Sequence, residues 1–385
     1  MHPVTNLDDE LQDLAEALQR RLVVVDARMR VLAYSIHETD ADRARLSHLL
    51  AHSDTWPPLP AGNGPTTRTA GDGTEWVLHP LRDDRHRVGH LLHVRAKGVP
   101  APTGEILADG AARLSVLLSL RTKLVEREAA RTDELLTSLL ATDASAEQRD
   151  CAATALVVEG LVGSTGQYCT VVLGAPTGHP DGALAARTSV EATLDFVART
   201  STATVVGGLI GGTGVLVFPR PVVHDRLERV LDAPGLADVH AGIGGTVTSL
   251  ADAATSHDQA QLAWRAACLD PRTYARVTSW TQLGLDKLVL RLPLERLTAD
   301  DLPDAVSRLM SDDHREVDVP TLEAYLAAGG DARATATGLG IHRSTLYYRL
   351  TRIRSTTGAD LRDGVARRDL HTGLRVARLA GMLTG

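Results

Sequence analysis

The run from His342 to Arg352, HRSTLYYRLTR, crowds cations, hydroxyls and phenols into one short stretch. An arginine can donate two parallel hydrogen bonds to the major-groove edge of guanine, and hydroxyls can reach bases or phosphates. His342, Arg343, Ser344, Thr345, Tyr347 and Tyr348 are therefore candidates for contact with double-stranded DNA. Arg352, one turn further along, is expected to meet phosphate. Arg349 lies on the flank and has two readings: another DNA contact, or a structural partner for Asp331 or Glu323.

Such side chains are useful only if something fixes the helix beneath them. Leu346, Leu350 and Ile353 recur at i, i+4 and i+7, which gives a helix over 343–356 one apolar stripe. Ahead of it, Ala332 to Gly338 reads as a short helix with Ala332, Ala336 and Leu339 inward and Asp331 as its N-cap. Gly340–Ile341 forms the turn, and 320–328 makes a preceding helix ended by Gly329–Gly330. Two helices joined by a tight glycine turn, the second rich in polar side chains, is the helix-turn-helix layout.

Taken whole, a formal charge of −7 on 385 residues argues against nucleic acid. Its distribution argues the other way. From Val319 onward ten arginines face five acids, a net +5 that leaves −12 on residues 1–318. A basic module on an acidic body is the electrostatic footprint of a DNA-binding domain joined to a regulatory one.

Other chemistries lack their residues. GxxxxGK[ST], GxSxG and HExxH are missing, no pair of acids has acid–base spacing, and the glycine runs at 207–214 and 242–245 do not read as nucleotide cradles. No catalytic residue and no cofactor follow. His79, His86, His90 and His93 cluster in sequence, but on a strand His90 and His93 face opposite sides, so dispersed histidines are expected rather than a metal site. Cys151, Cys169 and Cys268 form neither a CxxC nor a zinc spacing, and the acidic start MHPVTNLDDE lacks the order of a signal peptide; both suit the cytoplasm. The uncharged stretch Thr200 to Pro219 is broken by glycines and reads as a hairpin, not a membrane span.

The periodicities divide the chain into a multidomain α+β protein. Residues 1–100 give a helix (6–20), strands at 22–26 and 30–35, a helix at 39–52, a loop from Trp56 to Gly73, and strands at 75–80 and 87–96. That is the order of a small sensor of the PAS or GAF type. Residues 101–145 are leucine-rich from Leu107 to Leu140 and read either as one long connecting helix or as two ordinary ones. Residues 146–280 alternate strands (168–174, 202–210, 214–219, 239–245, 274–277) with helices (181–199, 221–232, 249–268), an α/β sandwich. Residues 281–318 form a helical connector with breaks at Pro293 and Pro303, and 319–385 the helix-turn-helix domain.

The segment LGIHRSTLYYRLTRI (339–353), with TGADL (357–361) and the helix Ala366–Leu379, resembles the C-terminal domain of the purine-catabolism and sugar-diacid regulators of bacteria. His342, Arg343, Thr345, Leu346, Tyr348, Arg349 and Leu350 match that family's pattern; Ser344 departs from its usual Asn. HAGIGGTVTSLADAATSHDQAQLAWRAA (240–267) and SWTQLGLDKLVL (279–290) are similar to the same family's degenerate GGDEF domain. An active cyclase needs acids on its hairpin and first strand to hold divalent metal, whereas here the hairpin reads GGTGV (211–215) and the strand ends in Gly174–Ala175. The resemblance implies a transcriptional regulator. The leucine-rich region 103–142 and the symmetric sites that helix-turn-helix dimers read point to a homodimer or higher homo-oligomer, and a small-molecule effector is expected in the N-terminal domain. Two alternatives stand beside it: a DNA-binding regulator whose N-terminal domain only dimerises, and a cyclase-like enzyme.

Overall fold

The computed structural model describes residues 6–383 except 28, 37, 38, 54, 55, 57–61, 63, 84, 85 and 96–103. Parts of the expected 56–73 loop and of the 1–100/101–145 boundary lie outside the described residues. The chain divides into two units, Met1–Ala130 and Arg131–Gly385.

The first unit opens with α1 (Leu7–Leu18), capped by Asn6, whose side chain accepts from the Asp9 N–H at 2.8 Å. Strands β1 (Leu22–Asp26) and β2 (Val31–Tyr34), helix α2 (Asp40–His52) and strands β3 (Thr66–Thr69), β4 (Glu75–Asp83) and β5 (His86–Val94) follow. They form an antiparallel sheet of order β2-β1-β5-β4-β3. Alternation along β1 sends Leu22 and Val24 to one face, against Leu11, Leu14, Leu114 and Leu118. It sends Val23 and Val25 to the other, against Leu46, Leu49 and Trp76. β3 replaces part of the expected loop. Its sequence, TTRT, has no apolar residue to announce it, and its register with β4 supplies the pairing.

Residues 104–140 form one continuous helix, α3 (Gly104–Leu140), which decides between the two readings of that region. Its last turns carry Leu135, Leu136, Leu139 and Leu140 into the core of the second unit. There α4 (Ala146–Val158) was not foreseen. Ser145 and Gln148 close a reciprocal capping box on it, and S-x-x-Q was the available signal.

Strands β6 (Cys169–Gly174), β7 (Val206–Ile210), β8 (Thr213–Phe218), β9 (His240–Ile243) and β10 (Val277–Ser279) form a sheet of order β10-β9-β6-β8-β7. Only β9 and β10 run parallel. Helices α5 (Gly182–Thr200), α6 (His224–Leu231) and α7 (Ala253–Leu269) complete the sandwich. Gly242 and Gly244 serve packing: a Cβ on Gly242 would stand 2.0 Å from the Ala260 carbonyl, and one on Gly244 the same distance from that of Ser256. The last strand begins at Val277, not Tyr274, because Tyr274 turns inward and donates to Asp286 at 2.6 Å.

A short helix α8 (Asp286–Val289) leads to the C-terminal helices α9 (Asp304–Met310), α10 (Arg315–Ala327), α11 (Ala332–Gly338), α12 (Arg343–Thr357) and α13 (Gly364–Leu379). Leu302, Val306 and Leu309 share one core with Leu322, Leu346, Leu350, Ile353 and Leu374. This packing unit therefore starts near Leu302, ahead of the expected boundary at 319. α10 likewise starts at Arg315 and carries Pro320 within it.

Candidate nucleic-acid interface

Asp331 caps α11, accepting from the N–H groups of Arg333 (2.7 Å) and Ala334 (3.1 Å). Those bonds lead the causes that hold its carboxyl below the usual range, with Arg343 and Arg333 nearby. The turn to α12 passes through Gly340 at φ 63°, a left-handed conformation that costs glycine little. His342 caps α12: its Nδ1 accepts from the Ser344 N–H at 3.3 Å and lies 2.8 Å from the Ser344 hydroxyl. Ser344, at the position of the family's Asn, thus takes part in this cap.

Leu346, Leu350, Ile353 and Thr357 form the buried line of α12. At 3.6 residues per turn, Ser344, Tyr348, Thr351 and Ser355 stand opposite it. Arg343, Tyr347 and Arg354 occupy one flank; Thr345, Arg349 and Arg352 occupy the other. His342, Arg343, Ser344 and Thr345 are exposed, as are Tyr347 (58%) and Tyr348 (67%).

Two expected contacts are engaged elsewhere. Arg352 grips Asp318 of α10 with both edges, Nε to Oδ2 at 2.8 Å and Nη2 to Oδ1 at 2.6 Å, and the Asp318 side chain is fully buried. Its guanidinium also lies 5.7 Å from the Tyr348 ring centre. Arg352, expected to meet phosphate, is held in the protein by this internal ion pair, because α10 begins early enough to present Asp318. Arg349 donates to the Thr321 hydroxyl at 3.1 Å. Neither proposed acid is its partner, since Glu323 is held by Arg378 at 2.7 Å and Asp331 by its own cap.

The other basic residues divide the same way. Arg375 is clamped between Asp270 and Asp286, and Arg368 pairs with Asp369. Exposed Arg333, Arg343, Arg354 and Arg362 make no side-chain hydrogen bond or ion pair among the described residues. Arg333, Arg354, Thr351 and Ser355 were not singled out from the sequence; membership of the α12 face, or of the start of α11, is what marks them.

In the middle domain the β7–β8 hairpin turns through Gly211 (φ 57°) and Gly212 (φ 85°) and carries no acid. At the end of β6 the Gly174 carbonyl accepts from the Trp264 indole at 3.0 Å. In the first unit the histidines separate as expected of strand alternation. His79 and His93 share a face, with Nε2 atoms 3.2 Å apart. His90 lies buried on the other, its Nδ1 without a hydrogen-bond partner. Burial pushes His79 and His90 down to about 4, with His93 as a second influence on the former and Arg87 on the latter. Among the described residues no group of three metal-ligating side chains forms, and no helix is long and apolar enough to cross a membrane.

This is the arrangement of a helix-turn-helix protein with an α/β middle domain. Residues 319–376 match the PucR C-terminal helix-turn-helix domain, and residues 162–266 match the GGDEF-like domain. The C-terminal segment is thus similar to the DNA-binding domain of PucR regulators, and the middle segment to a GGDEF-like domain. It is 32% identical over 133 residues to the transcriptional activator PmfR of Paenarthrobacter nicotinovorans, which is 32% of this chain and 25% of that protein. The chain thus spans about a quarter of that relative's length. The regulator of polyketide synthase expression from Bifidobacterium adolescentis aligns with 65% of this chain and 98% of its own, at 20% identity and a TM-score of 0.31, too low a likeness to carry argument.

Proposed function

We propose that this protein is a cytoplasmic, DNA-binding transcriptional regulator that reads the major groove with α12. One observation carries the reading. The outward side of α12 keeps hydroxyls, phenols and unpaired arginines, while its buried side is committed to the core and its α10 side to Asp318 and Thr321. His342, Arg343, Ser344, Thr345, Tyr347 and Tyr348 are the contacts, joined by Thr351, Arg354 and Ser355. Arg349 and Arg352 hold the helix in place. The middle domain is proposed to be non-enzymatic, since its hairpin and first strand offer no carboxylate for metal.

The N-terminal unit is proposed to be the PAS- or GAF-like sensor of a small metabolite. In support, its sheet is covered on both faces, and His90 leaves a buried ring nitrogen that a ligand's polar group would satisfy. The protein is proposed to act as a homodimer, because helix-turn-helix proteins commonly read paired half-sites and α3 exposes Val116, Leu120, Leu124 and Val125. The proposed division follows the sequence boundaries, with the DNA-binding core extended back to Leu302.

The test titrates wild type and Arg343→Ala against promoter fragments from the chain's own genomic neighbourhood and a scrambled duplex. Loss of a bidentate guanine contact should cost about 1–3 kcal/mol on the operator and relax preference at one base position. Equal loss on both duplexes would remove Arg343 from base reading. Wild-type protein that binds none of the fragments would overturn the regulator reading.

A further inference from the structure

Between the loop that follows α7 and the C-terminal helices runs a cleft of about 520 Å³, lined by Arg272, Met310, Arg315, Glu316, Val319 and Met382 among others. Past Pro320 and Arg378 it continues into a recess of about 390 Å³ reaching Thr273, Ala327 and His371. Spaces of this size at a junction between domains are where small molecules commonly bind.

Two cations beside the cleft are spoken for. Arg378 is held bidentately by Glu323, and Arg375 by Asp270 and Asp286. Arg272 and Arg315 differ: both are exposed, and neither makes a side-chain ion pair or hydrogen bond among the described residues. Glu316 is the acid in the cleft that no base neutralises. Pro320 adds an acceptor. Lacking an N–H, it leaves the Glu316 carbonyl without its helical donor. The remaining wall, Met310, Val319, Met382 and Leu383, is apolar.

We propose that this cleft binds a small organic carboxylate that also carries an O–H or N–H donor on an apolar body. The carboxylate pairs with Arg272 and Arg315, the donor bonds to Glu316 or its free carbonyl, and the body lies against the two methionines. Thioether side chains adapt their shape to such a body. The site bridges the middle domain and α10, and shares no residue with the proposed N-terminal effector site or with the DNA face.

The chain has four methionines, so [methyl-¹³C]methionine labelling of the full-length protein gives a sparse spectrum. Met310 and Met382 line the cleft, while Met29 is buried in the N-terminal unit and serves as control. Signals are assigned with Met→Leu variants. The probe is 4-hydroxybenzoate, compared with its uncharged methyl ester and with inorganic phosphate. Millimolar 4-hydroxybenzoate should shift the Met310 and Met382 methyls saturably and leave Met29 in place. The ester should have little effect, and Arg272→Gln and Arg315→Gln should each weaken binding at least about tenfold, as expected for loss of a charged hydrogen bond. No saturable shift, an equal response to the ester, or an equal response to phosphate each overturns the proposal. The readout needs no DNA, so its failure leaves the regulator reading standing, and the reverse.

Discussion

Arg352→Ala separates an internal ion pair from a DNA contact. In the folded protein Asp318 is fully buried, and Arg352, 22% exposed, meets it through two charge-assisted bonds of 2.6 and 2.8 Å. Removing the arginine strands a carboxylate in the core, which costs about 3–5 kcal/mol. Against a typical total of about 5–15 kcal/mol, that is a large share. Replacing both partners, Asp318→Leu with Arg352→Met, removes the stranded charge and should restore most of the loss. Urea unfolding followed by circular dichroism measures both effects as midpoint shifts. The folded double variant is then titrated with operator DNA at several salt concentrations. It should keep the wild-type dependence on salt, since no phosphate contact has been lost. A phosphate-binding arginine would behave oppositely. Arg352→Ala would then keep the wild-type urea midpoint and lower the salt slope by about one, and that result would refute the ion-pair reasoning.

Three further outcomes follow from the structure. Burial pushes His257 down to about 4 from 6.5, so the unfolded chain takes the proton first. Its contribution, at most about 3 kcal/mol, is complete above pH 6.5 and drains away as the pH falls toward 4. His257→Leu should flatten that limb of the unfolding midpoint against pH, and an unchanged slope would assign the limb to other groups. Gly242→Ala should destabilise the middle domain by about 3 kcal/mol, because its Cβ would meet α7 backbone at 2.0 and 2.3 Å; a wild-type melting curve would contradict that close approach. Light scattering on the full-length protein should give a dimer that Leu120→Glu with Leu124→Glu converts to monomer. A wild-type monomer, or a variant that stays dimeric, counts against pairing through α3.

The apolar patterns were legible wherever one face is buried and the other wet. Leu346, Leu350 and Ile353 announced α12, and Asp331 announced the start of α11. α4 escaped notice because alanines fill much of it, with Ala152 and Leu156 as its buried residues, so its capping box was a better signal than its periodicity. β3 escaped because an edge strand of TTRT needs only the β4 backbone as partner. The Arg352–Asp318 pair spans 34 residues of sequence, and nothing local to either side chain announces the other. Pro320 misled in a different way. A proline usually opens a helix at its first turn, and here it sits inside one whose first residues carry the buried aspartate.

The excess of +5 from Val319 onward pointed to a nucleic-acid module, yet six of its ten arginines have partners inside the protein. Arg352 pairs with an acid ahead of that segment, Asp318, and Arg375 with Asp270 and Asp286. Arg378 and Arg368 cancel acids within the segment, and Arg349 and Arg367 bond to Thr321 and the Gly329 carbonyl. Arg333, Arg343, Arg354 and Arg362 remain exposed and unpaired, and no lysine lies beyond Val319. If all four met phosphate in each half of a dimer, log K against log salt would fall with a slope of about −7, whereas all ten arginines in each half would give about −18. Arg343 spent on a base edge makes the true slope shallower still. Titration of the operator complex across salt concentrations measures it directly. A slope much steeper than about −7 would mean that ion pairs within the folded domain open on DNA, Arg352 and Arg375 first among them, and the division between structural and DNA-facing arginines would fail.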